Sequence, residues 1–530
     1  MVIGGFATLT QLLQQAAAAF RDRPCLGMAA AEHTTWWSYA DLERQVQRAA
    51  AWLRAQGIAP GDRVALWGAN RPQWVAGYFG CLAVGGVVVP LDAKSHPDFV
   101  RRVLERTEAR LLVLGSPQHT SLGQTVVPTA PLETLDDLLP AEGVTPVAVQ
   151  PDDLAEIVFT SGTTGTPKGV MLTHRNIASN VQQAAQVIPP PPDTKLLSIL
   201  PLSHMFEQTV GLLVPLTGGA SIVYLPGFQP DLLFRTLERE RITAMLCVPY
   251  VLDRLRQGIE REVERQGKGS QWELLHRIAP WLPFPVRRLL FRPVHRRLGG
   301  RFDFFLVGGA ALDPDLARRW ENLGIKVVQG YGTTETSPII AGQTLQRRHP
   351  DSAGRPMPGG EVRIAEDGEV LVRGPNVFQG YWQAPDLTQE AFTEGWYHTG
   401  DLGFLDARGE LHLRGRKKEV IVLPTGLNVY PEDVEQELTK EPAIAGAAVV
   451  GRARGRGEVE IHAVLLMEHN DPTAAEAAVR AANRRLARHQ QIRGFTIWPD
   501  ADFPRTPAMK PKRREIAAAL ERLQPTREVA

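Results

Sequence analysis

Short apolar runs alternate with helical patterns along most of this chain, and that alternation limits the folds open to it. Such runs occur at Arg63–Trp67, Arg110–Leu114, Ala244–Val248 and Phe304–Val307. Strands this apolar, separated by helices, are typical of parallel sheets that are covered by helices on both faces. Between about residues 35 and 330 the pattern therefore predicts an α/β architecture.

The pattern changes after about residue 355. The segments Glu361–Ile364 and Glu369–Val372 alternate polar and apolar residues near glycine turns, which favours an antiparallel β subdomain. Further along, the segment from Pro431 to Glu435 opens a helix with acidic residues in its first turn. Apolar runs at 447–450 and 462–466 follow it. This last region predicts a small α+β domain.

A chain of 530 residues is long enough to form more than one hydrophobic core. The charged run from Gly415 to Glu419 looks like a boundary. We predict an N-terminal domain at residues 1–415 and a small C-terminal domain at 421–530, joined by residues 416–420. The predicted fold class is α/β, with a large N-terminal domain of mixed and parallel sheets flanked by helices, a β subdomain and a small α+β domain.

Composition excludes several classes of protein. The hydrophobic fraction of 43% is ordinary for a globular protein, and a net charge of +1 gives no reason to expect a nucleic-acid partner. Cys25, Cys81 and Cys247 are widely spaced, which predicts reduced core residues rather than a metal site. The most apolar window, Val75–Leu91, is interrupted by glycines, and the N-terminus lacks a basic leader. We expect a cytoplasmic enzyme.

The segment from Phe159 to Val170 has the composition of a phosphate-binding loop. It follows an apolar run and combines glycines, Ser and Thr hydroxyls and a single lysine, Lys168. It is not a Walker A loop, because Pro167 precedes the lysine and Gly169 follows it. The alternative is a flexible surface loop, which the apolar run before it and the amphipathic segment starting at Met171 disfavour.

The full string resembles the signature of the adenylate-forming superfamily of acyl-CoA synthetases, nonribosomal peptide adenylation domains and luciferases. The resemblance implies that ATP is a substrate. It assigns nucleotide binding to Ser161, Gly162, Thr163, Thr164, Gly165 and Lys168. By analogy with long-chain members of the family, the Thr160 hydroxyl is expected to lie near a Mg²⁺ ion bound with the ATP.

A second segment, Gly-Tyr-Gly-Thr-Thr-Glu, starts at Gly330 and resembles another signature of the superfamily. The resemblance implies that Tyr331 lies against the adenine, that Thr334 contacts the α-phosphate and that Glu335 helps to hold Mg²⁺. Gln329 and Gly330 are assigned to the same nucleotide site. A carboxylate is a suitable ligand for Mg²⁺, which prefers oxygen. The alternative is a glycine turn that ends in an exposed glutamate.

Two further segments resemble nucleotide-binding motifs of the family. Gly308, Gly309 and Ala310 are similar to the glycine-rich segment that lies along the adenine, although a glycine pair alone is more often a turn. The sequence Tyr-His-Thr-Gly-Asp that ends at Asp401 resembles a motif whose aspartate accepts hydrogen bonds from the ribose hydroxyls. The resemblance implies this role for Asp401, with Arg416 in support.

The segment from Pro504 to Lys510 resembles the catalytic-lysine motif of the family. It implies that Lys510 approaches both the α-phosphate and the substrate carboxylate, where a flexible cation relieves the repulsion between two anions. The segment departs from the commonest pattern, because Met509 stands where a glycine usually precedes the lysine. The alternative is a basic tail, since more basic residues follow at once.

Three other residues are assigned by resemblance. His204 belongs to a segment similar to the motif that borders the acyl tunnel and the pyrophosphate exit, although it could also be a core histidine. Residues 416–420 match the family hinge, with Lys418 as the pivot of a mobile C-terminal domain. The loop before Gly426 is one residue longer than in short-chain members, which resembles long-chain enzymes and implies that Gly426 lines the CoA tunnel.

Six arginines and no acidic residue lie between Arg287 and Arg301, and Trp281 and Phe284 precede them. A basic amphipathic stretch of this kind can lie on an anionic membrane surface. A helix with a solvated basic face explains it equally well. The stretch also resembles long-chain fatty acyl-CoA synthetases more than acetate or aryl ones.

These resemblances predict an ATP-dependent fatty acid–CoA ligase that forms an acyl-adenylate and then a thioester, releasing pyrophosphate and AMP. Fatty acid, ATP and CoA would be its substrates and Mg²⁺ its cofactor. One alternative is a ligase that loads a separate acyl carrier protein. Another is a non-catalytic protein that binds nucleotide or acyl groups, which would be expected to lose Lys510 or Glu335, and both are present.

Overall fold

The computed structural model describes residues 2–123, 125, 127–160, 167–191, 193–227, 229–423, 427–454, 458–467, 469–506, 511–522 and 527–528. The chain divides into two compact units. The first contains Met1–Val362 and Val372–Tyr397, and the second contains Arg363–Leu371 and His398–Ala530. The predicted hinge at residues 416–420 remains a prediction.

The helices, in chain order, are α1 (Leu9–Phe20), α2 (Tyr39–Ala55), α3 (Pro72–Ala83), α4 (Pro97–Thr107), α5 (Ser116–Leu122), α6 (Leu135–Leu138), α7 (His174–Val187), α8 (Val214–Thr217), α9 (Pro230–Arg239), α10 (Pro249–Arg265), α11 (Gly269–Ile278), α12 (Phe284–Leu290), α13 (Arg292–Arg297), α14 (Pro314–Asn322), α15 (Pro385–Glu390), α16 (Pro431–Thr439), α17 (Pro472–Arg485) and α18 (Arg513–Leu520). A π-helix covers Glu207–Leu213, and 3₁₀ turns cover Ala279–Trp281, Thr334–Thr336, Lys417–Glu419 and Arg488–Gln490.

The strands are β1 (Pro24–Ala29), β2 (Thr34–Ser38), β3 (Arg63–Trp67), β4 (Val87–Leu91), β5 (Leu111–Leu114), β6 (Thr129–Pro131), β7 (Leu154–Thr160), β8 (Lys168–Thr173), β9 (Lys195–Ser198), β10 (Ser221–Tyr224), β11 (Ala244–Cys247), β12 (Phe304–Val307), β13 (Lys326–Gly332), β14 (Ile339–Gly342), β15 (Arg355–Pro356), β16 (Glu361–Ile364), β17 (Glu369–Arg373), β18 (Gly380–Tyr381), β19 (Phe392–Thr393), β20 (Trp396–Leu405), β21 (Leu411–Arg416), β22 (Ile421–Val422), β23 (Asn428–Val429), β24 (Ile444–Arg454), β25 (Glu458–Met467), β26 (Gly494–Ile497) and β27 (Arg527–Glu528).

The first unit contains a nine-stranded sheet in the order β15-β14-β13-β12-β11-β9-β10-β1-β2. Its central strands run parallel from β13 to β1, and antiparallel strands β14, β15 and β2 complete the edges. Helices cover its faces because the strands are apolar on both sides: the Phe305 ring in β12 meets the buried Trp320 ring of α14 edge-on at 4.8 Å. The predicted parallel strands are confirmed.

A second sheet of the first unit has seven strands in the order β18-β8-β7-β4-β3-β5-β6. Strands β7, β4, β3, β5 and β6 are parallel, whereas β8 returns antiparallel to β7. Val100, Val103 and Leu104 of α4 pack on the apolar side chains of β3 and β4. The carboxyl ends of these strands lead into loops that carry polar residues, the usual place for a binding site in such a sheet.

The second unit is built around the sheet β24-β25-β26-β27. Side chains alternate between its two faces: Val449 and Leu465 pack with α16 and α17, whereas Val450 and Leu466 pack with α18 and Trp498. Strands β20 and β21 form an antiparallel pair in the same unit. The small α+β domain expected from the sequence is confirmed.

The structure corrects one detail of the sequence analysis. Met171 and Leu172 lie in strand β8, and the helix begins only at His174. Thr173 caps that helix by accepting a hydrogen bond from the Asn176 backbone. The residues from Val170 to Leu172 alternate in burial as a strand does, because Val170 and Leu172 are buried while Met171 is only half-buried.

The arginine-rich stretch forms two short helices, α12 and α13, and four of its six arginines contact other side chains or carbonyl oxygens, including Arg297 over the Phe234 ring and Arg301 paired with Asp193. Arg287 donates hydrogen bonds to the carbonyl oxygens of Leu282, Pro280 and Glu321. Arg288 donates to the Phe302 carbonyl at 2.9 Å. These side chains therefore hold neighbouring loops and do not contribute to a freely solvated basic face. Among the described residues, no helix is long and apolar enough to cross a membrane.

Candidate active site

The predicted phosphate-binding loop connects the two strands of a hairpin. Strands β7 and β8 are antiparallel, and Thr160 lies opposite Lys168 at the base of the loop. Arg106 donates to the carbonyl oxygen of Pro167 at 2.7 Å and so holds the second strand where it begins. Five predicted phosphate-binding residues lie outside the described part of the chain, namely Ser161, Gly162, Thr163, Thr164 and Gly165.

Tyr381 joins two of the predicted motifs. The ammonium group of Lys168 lies over the Tyr381 ring, 5.0 Å from its centre, a cation–π contact. The hydroxyl of the same side chain donates to a carboxylate oxygen of Glu335 at 3.0 Å. Strand β18 makes this possible, because it pairs with β8 and sets Tyr381 opposite Val170. The lysine of the first motif and the glutamate of the second are thus brought to one place.

Glu335 sits in a tight turn at the end of β13. The 3₁₀ turn Thr334–Thr336 is capped by Thr333, whose side chain meets that of Thr336. The backbone of Phe378 donates to the Glu335 carbonyl oxygen at 2.8 Å. Gly332 precedes the turn, and a β-carbon there would lie 1.7 Å from the Pro338 carbonyl oxygen. Only glycine fits that approach, so the local sequence sets the orientation of Glu335.

A buried tyrosine completes this cluster from strand β20. Burial raises the pKa of Tyr397 well above its ordinary value, and the nearby Glu335 carboxylate and Tyr381 raise it further, while a hydrogen bond with Thr333 opposes the shift. The Tyr397 ring packs edge-on against Phe378 at 5.3 Å. Its hydroxyl therefore stays protonated and supports the turn that carries Glu335.

The glycine-rich segment and the second motif lie at one edge of the nine-stranded sheet. Strands β12 and β13 are parallel neighbours, with Val307 opposite Gln329, so the residues that follow them emerge together. A β-carbon on Gly308 would come within 2.8 Å of the Phe206 ring. The Gln329 side-chain oxygen is buried without a hydrogen-bond partner among the described residues. An orphaned acceptor beside a glycine-lined edge suits a polar ligand such as a nucleotide base.

The other predicted residues of these two segments lie at the ends of strands β12 and β13. Gly309 has a φ of +80°, a left-handed conformation that favours glycine. Ala310 follows it, while Gly330 and Tyr331 belong to the last turn of strand β13 and Thr334 starts the 3₁₀ turn.

His204 lies between the two sheets of the first unit. It is in the loop after β9, and its Nε2 atom is 3.1 Å from a carboxylate oxygen of Asp92, which follows β4. Two residues further along, Phe206 contacts Gly308, so the His204 loop borders the same edge as the second motif. The histidine is partly exposed and is not a fully enclosed core residue.

The two residues predicted to bind the ribose lie together in the second unit. Asp401 and Arg416 are opposite each other in strands β20 and β21, and their side chains form an ion pair at 2.8 Å. Asp401 is buried, and its backbone N–H donates to the Thr399 hydroxyl. Lys418 lies two residues beyond Arg416, in an exposed 3₁₀ turn. The predicted Lys510 and Gly426 lie outside the described residues.

The residues present fit Mg²⁺ and a polyphosphate. Glu335 offers a carboxylate and Thr160 a hydroxyl, both oxygen donors of the kind that Mg²⁺ prefers. The Lys168 ammonium contacts the Tyr381 ring whose hydroxyl bonds Glu335, and Thr160 is the strand partner of Lys168. Mg²⁺ commonly combines one or two such protein ligands with oxygen atoms of substrate phosphates. The donor set therefore suits a magnesium–nucleotide complex.

Sequence reasoning missed three residues of the site: Tyr381, Tyr397 as a support for the turn, and Asp92. Asp92 follows a buried strand directly, which is a signal for a functional position at a sheet edge. For Tyr381 the only local signal is its place after a glycine in a short strand. Neither signal indicates which distant residue the side chain contacts.

Comparison with known proteins agrees with this geometry. Residues 13–382 match the model of the AMP-binding enzyme family, and residues 418–523 match the C-terminal domain of AMP-binding enzymes. The long-chain-fatty-acid–CoA ligase FadD15 of Mycobacterium tuberculosis is 32% identical over 90% of this chain and 90% of its own length.

A second relative is named for an aromatic acid, and one of the similar solved structures contains ATP. The feruloyl-CoA synthase of an Amycolatopsis species is 32% identical over 78% of this chain and 80% of its own length. The o-succinylbenzoate coenzyme A synthetase MenE of Bacillus subtilis, solved in complex with ATP and a magnesium ion, superposes with a TM-score of 0.78 at 25% identity, covering 96% of this chain and 99% of that one. The chain therefore belongs to the AMP-binding enzyme family.

Proposed function

We propose that the protein is an ATP-dependent ligase that joins a fatty acid to CoA. In the first step an oxygen of the fatty carboxylate attacks the α-phosphorus of ATP, the bond to the leaving pyrophosphate breaks, and an acyl-adenylate forms. In the second step the CoA thiol attacks the activated carbonyl, AMP leaves and the thiol proton is released to solvent or a base. The contact of Tyr381 with both Lys168 and Glu335 is the observation that carries this proposal.

The proposed roles follow from the chemistry of the side chains. Lys168 supplies a point charge to the polyphosphate, and Thr160 with Glu335 would hold Mg²⁺. When bound, the metal ion neutralises phosphate charge and so favours departure of pyrophosphate. Asp401, supported by Arg416, would accept the ribose hydroxyls, while Tyr331 and the Gly308 segment would flank the adenine. Family resemblance supports each role, and the contacts of Lys168, Glu335 and the Asp401–Arg416 pair add to that support.

Lys510, Lys418 and Gly426 have roles that rest on resemblance alone. Lys510 would offset the repulsion between the carboxylate and the α-phosphate during the first step. The C-terminal domain would then turn about Lys418, withdraw Lys510 and open the passage along Gly426 for the pantetheine arm of CoA. A domain movement of this kind would limit turnover if it is slower than the chemistry.

The acid that we propose as the substrate is a medium or long fatty acid. The long-chain FadD15 relative, the tunnel motif around His204 and the loop before Gly426 favour a medium or long fatty acid. The feruloyl-CoA relative supports an aromatic acid as the runner-up. Each buried methylene contributes about 0.8 kcal/mol, so kcat/KM should rise with chain length until the tunnel is full.

A pyrophosphate-release assay across acids from acetate to palmitate, with ferulate as an aromatic member, tests the proposal. We expect release with fatty acids, and acyl-CoA and AMP once CoA is added. If pyrophosphate is released but no thioester forms with CoA, and a thioester forms once an acyl carrier protein is added, the carrier-loading alternative is favoured. A profile peaking at acetate or ferulate would reject the fatty-acid assignment, and nucleotide binding without turnover would reject an enzyme altogether.

We also propose a cytoplasmic enzyme that contacts an anionic membrane surface. The three cysteines are buried and unpaired, which suits a reducing compartment. Five exposed apolar side chains lie on the consecutive helices α11 and α12 and the turn between them, and we call this set the apolar patch; Trp281 is 88% and Leu289 69% exposed. Its members are Leu274, Ile278, Trp281, Val286 and Leu289.

The charge around the apolar patch favours a lipid surface over a second copy of the chain. From Arg277 to Arg301 the sequence contains seven arginines and no acidic residue, and Arg277, Arg292 and Arg296 are exposed. Two copies meeting at this patch would bring like charges together. Exposed tryptophan and arginine suit the boundary between lipid headgroups and acyl chains.

Sedimentation with vesicles tests this contact. Vesicles of phosphatidylcholine with phosphatidylserine should retain the protein at low salt and release it as ionic strength rises. Leu289→Ser should weaken retention, whereas Leu138→Ser, a matched change at another exposed leucine, should not. Reversing Arg292 and Arg296 to Glu should lower retention by more than about tenfold, since each arginine contributes about 1 kcal/mol at an anionic surface. Equal retention by uncharged vesicles, or none, would contradict the proposal.

A further inference from the structure

The loop that carries His204 is held by two side chains from the other sheet of the first unit. Asn70, after strand β3, accepts a hydrogen bond from the Leu202 backbone at 2.8 Å and donates to the Leu200 carbonyl at 2.6 Å. Asp92, after strand β4, meets Nε2 of His204 at 3.1 Å. Asn70 therefore holds the backbone of the loop, while Asp92 holds its one ionisable side chain.

Both oxygens of the Asp92 carboxylate are engaged. Oδ1 accepts a hydrogen bond from the Lys94 backbone at 2.7 Å, and Oδ2 faces His204. The carbonyl oxygen of the same residue accepts from the Trp67 indole at 2.9 Å. The side chain is about one-tenth exposed, so the group has a fixed orientation.

The charge state of Asp92 follows from its surroundings. Burial would raise its pKa, but the hydrogen bonds from His204 and the Lys94 backbone outweigh burial and lower the pKa below its ordinary value. Asp92 is then ionised at neutral pH and can only accept hydrogen bonds. The facing Nε2 atom of His204 must therefore carry the hydrogen.

We propose that Asp92 is a positioning residue that holds His204 in one ring orientation and in its Nε2–H tautomer, leaving Nδ1 as the nitrogen that serves the substrates. This inference rests on the proposed ligase activity, because it gives His204 a role in that reaction. In many proteins a carboxylate that bonds one ring nitrogen of a histidine fixes the ring orientation and the tautomer, so that the other nitrogen is free to act on a ligand. Phe206, two residues after His204, lies close to Gly308 of the predicted nucleotide site. A change in the orientation of His204 could therefore also displace residues of that site.

The first measurement does not depend on what the enzyme catalyses. With ¹⁵N-labelled histidine, the His204 resonances, assigned by their loss in His204→Gln, should report a protonated Nε2 and an unprotonated Nδ1 in the wild-type protein. In Asp92→Ala they should move towards a mixture of tautomers. Asp98→Asn serves as a control, because Asp98 is an exposed aspartate one loop away. An unchanged tautomer in Asp92→Ala would overturn the inference.

The second measurement is a double-mutant cycle on both half-reactions. Asp92→Ala should lower kcat about 10- to 100-fold in whichever step His204→Gln impairs, with little change in KM for ATP, since a hydrogen bond to a charged group has an effect of that order. The double variant should lose no more than the worse single variant. Additive losses would overturn the inference.

Two further variants separate positioning from folding. Asp92→Asn keeps the shape of the side chain, so it should fold with an unchanged thermal midpoint and still show the tautomer change. If no acid supports pyrophosphate release in the wild-type protein, the proposed function fails, while the NMR measurement still decides whether Asp92 sets the tautomer.

Discussion

At the scale of single residues, Tyr381 contacts a cation with its ring and an anion with its hydroxyl. Tyr381→Phe keeps the ring and removes only the hydrogen bond to Glu335. We expect kcat/KM for pyrophosphate release to fall about tenfold, because a hydrogen bond to a charged group contributes about 1.5 to 3 kcal/mol. Tyr381→Leu should cost more, since it also removes the cation–π contact.

The matched control is Tyr250→Phe, which removes a hydroxyl that accepts a hydrogen bond from Arg254 on an exposed helix. That variant should keep wild-type activity. Wild-type activity in Tyr381→Phe would show that the contact between Tyr381 and Glu335 is incidental to the reaction.

Glu335 itself is tested by changing only its charge. Glu335→Gln should lower turnover at limiting Mg²⁺ and recover partly as Mg²⁺ is raised, because a neutral amide is a poorer ligand than a carboxylate. Initial rates measured across a magnesium titration check this. Glu264→Gln makes the same change at an exposed position and should leave the titration unaltered. A wild-type magnesium dependence in Glu335→Gln would remove this residue from the metal site.

At the scale of elements, the π-helix Glu207–Leu213 begins with one buried carboxyl group, Glu207, and a second buried carboxyl group, Glu156, lies in strand β7. Burial raises the pKa of Glu207 to about 8, and the neighbouring Ser198 side chain and Leu200 backbone oppose this rise only in part. Burial likewise raises the pKa of Glu156 in β7 to about 7, although the hydrogen bond from the Tyr78 hydroxyl and the nearby Gln208 side chain oppose the rise. Both groups are therefore protonated in the folded protein over much of the neutral range. π-helices often occur near functional sites, and here one follows the His204 loop.

These raised values make stability depend on pH. The ordinary pKa of both groups is 4.5, so their contribution is complete below that pH and is lost as pH rises towards about 8. Between pH 6.5 and 8 the free energy of unfolding should therefore fall as pH rises, because the unfolded chain has released the Glu207 proton that the folded protein still holds. The buried His174, with a pKa of about 4, is neutral throughout this window and does not mask the trend.

Calorimetry between pH 6.5 and 8 checks this prediction. The thermal midpoint of the wild-type protein should fall with rising pH, and Glu207→Gln should flatten the fall because the amide cannot ionise. Glu264→Gln, at an exposed position, should retain the wild-type slope. Above about pH 7, where Glu156 has already lost most of its contribution, a slope in Glu207→Gln as steep as that of the wild-type protein would mean that Glu207 is not the group that titrates.

At the scale of the whole molecule, the groups assigned to the reaction are distributed over both compact units. Lys168, Tyr381 and Glu335 belong to the first, and the Asp401–Arg416 pair belongs to the second, as does Lys510 by sequence. Lys510→Ala should lower the rate of adenylate formation about 100- to 1,000-fold, the usual effect of removing a main stabiliser of transition-state charge. Thioester formation from supplied acyl-adenylate should change little.

Separate assays of the two half-reactions check this difference. Lys512→Ala is the matched control, since Lys512 is paired with Glu515 and carries the same charge two residues away. Equal losses in both half-reactions would contradict the assignment of Lys510 to the first step.

The amino-acid sequence by itself determined the elements and the family. Apolar runs such as Phe304–Val307 became strands at the predicted places, because a strand buried on both faces needs continuous apolar residues over a short local window. The motifs around Lys168 and Glu335 could also be recognised from the sequence, because each is a short contiguous segment that combines glycines with oxygen donors.

Only the tertiary structure decided which of these residues meet. Tyr381 lies 46 residues from Glu335 and Asp92 lies 112 residues from His204, and their contacts depend on how strands pair and how the two sheets pack. It also decided that Arg287 holds carbonyl oxygens of its neighbours while Trp281 remains exposed. The physical reason is that periodicity and turn chemistry act over a few neighbouring residues, whereas side-chain contacts between distant segments are set by the packing of the whole core.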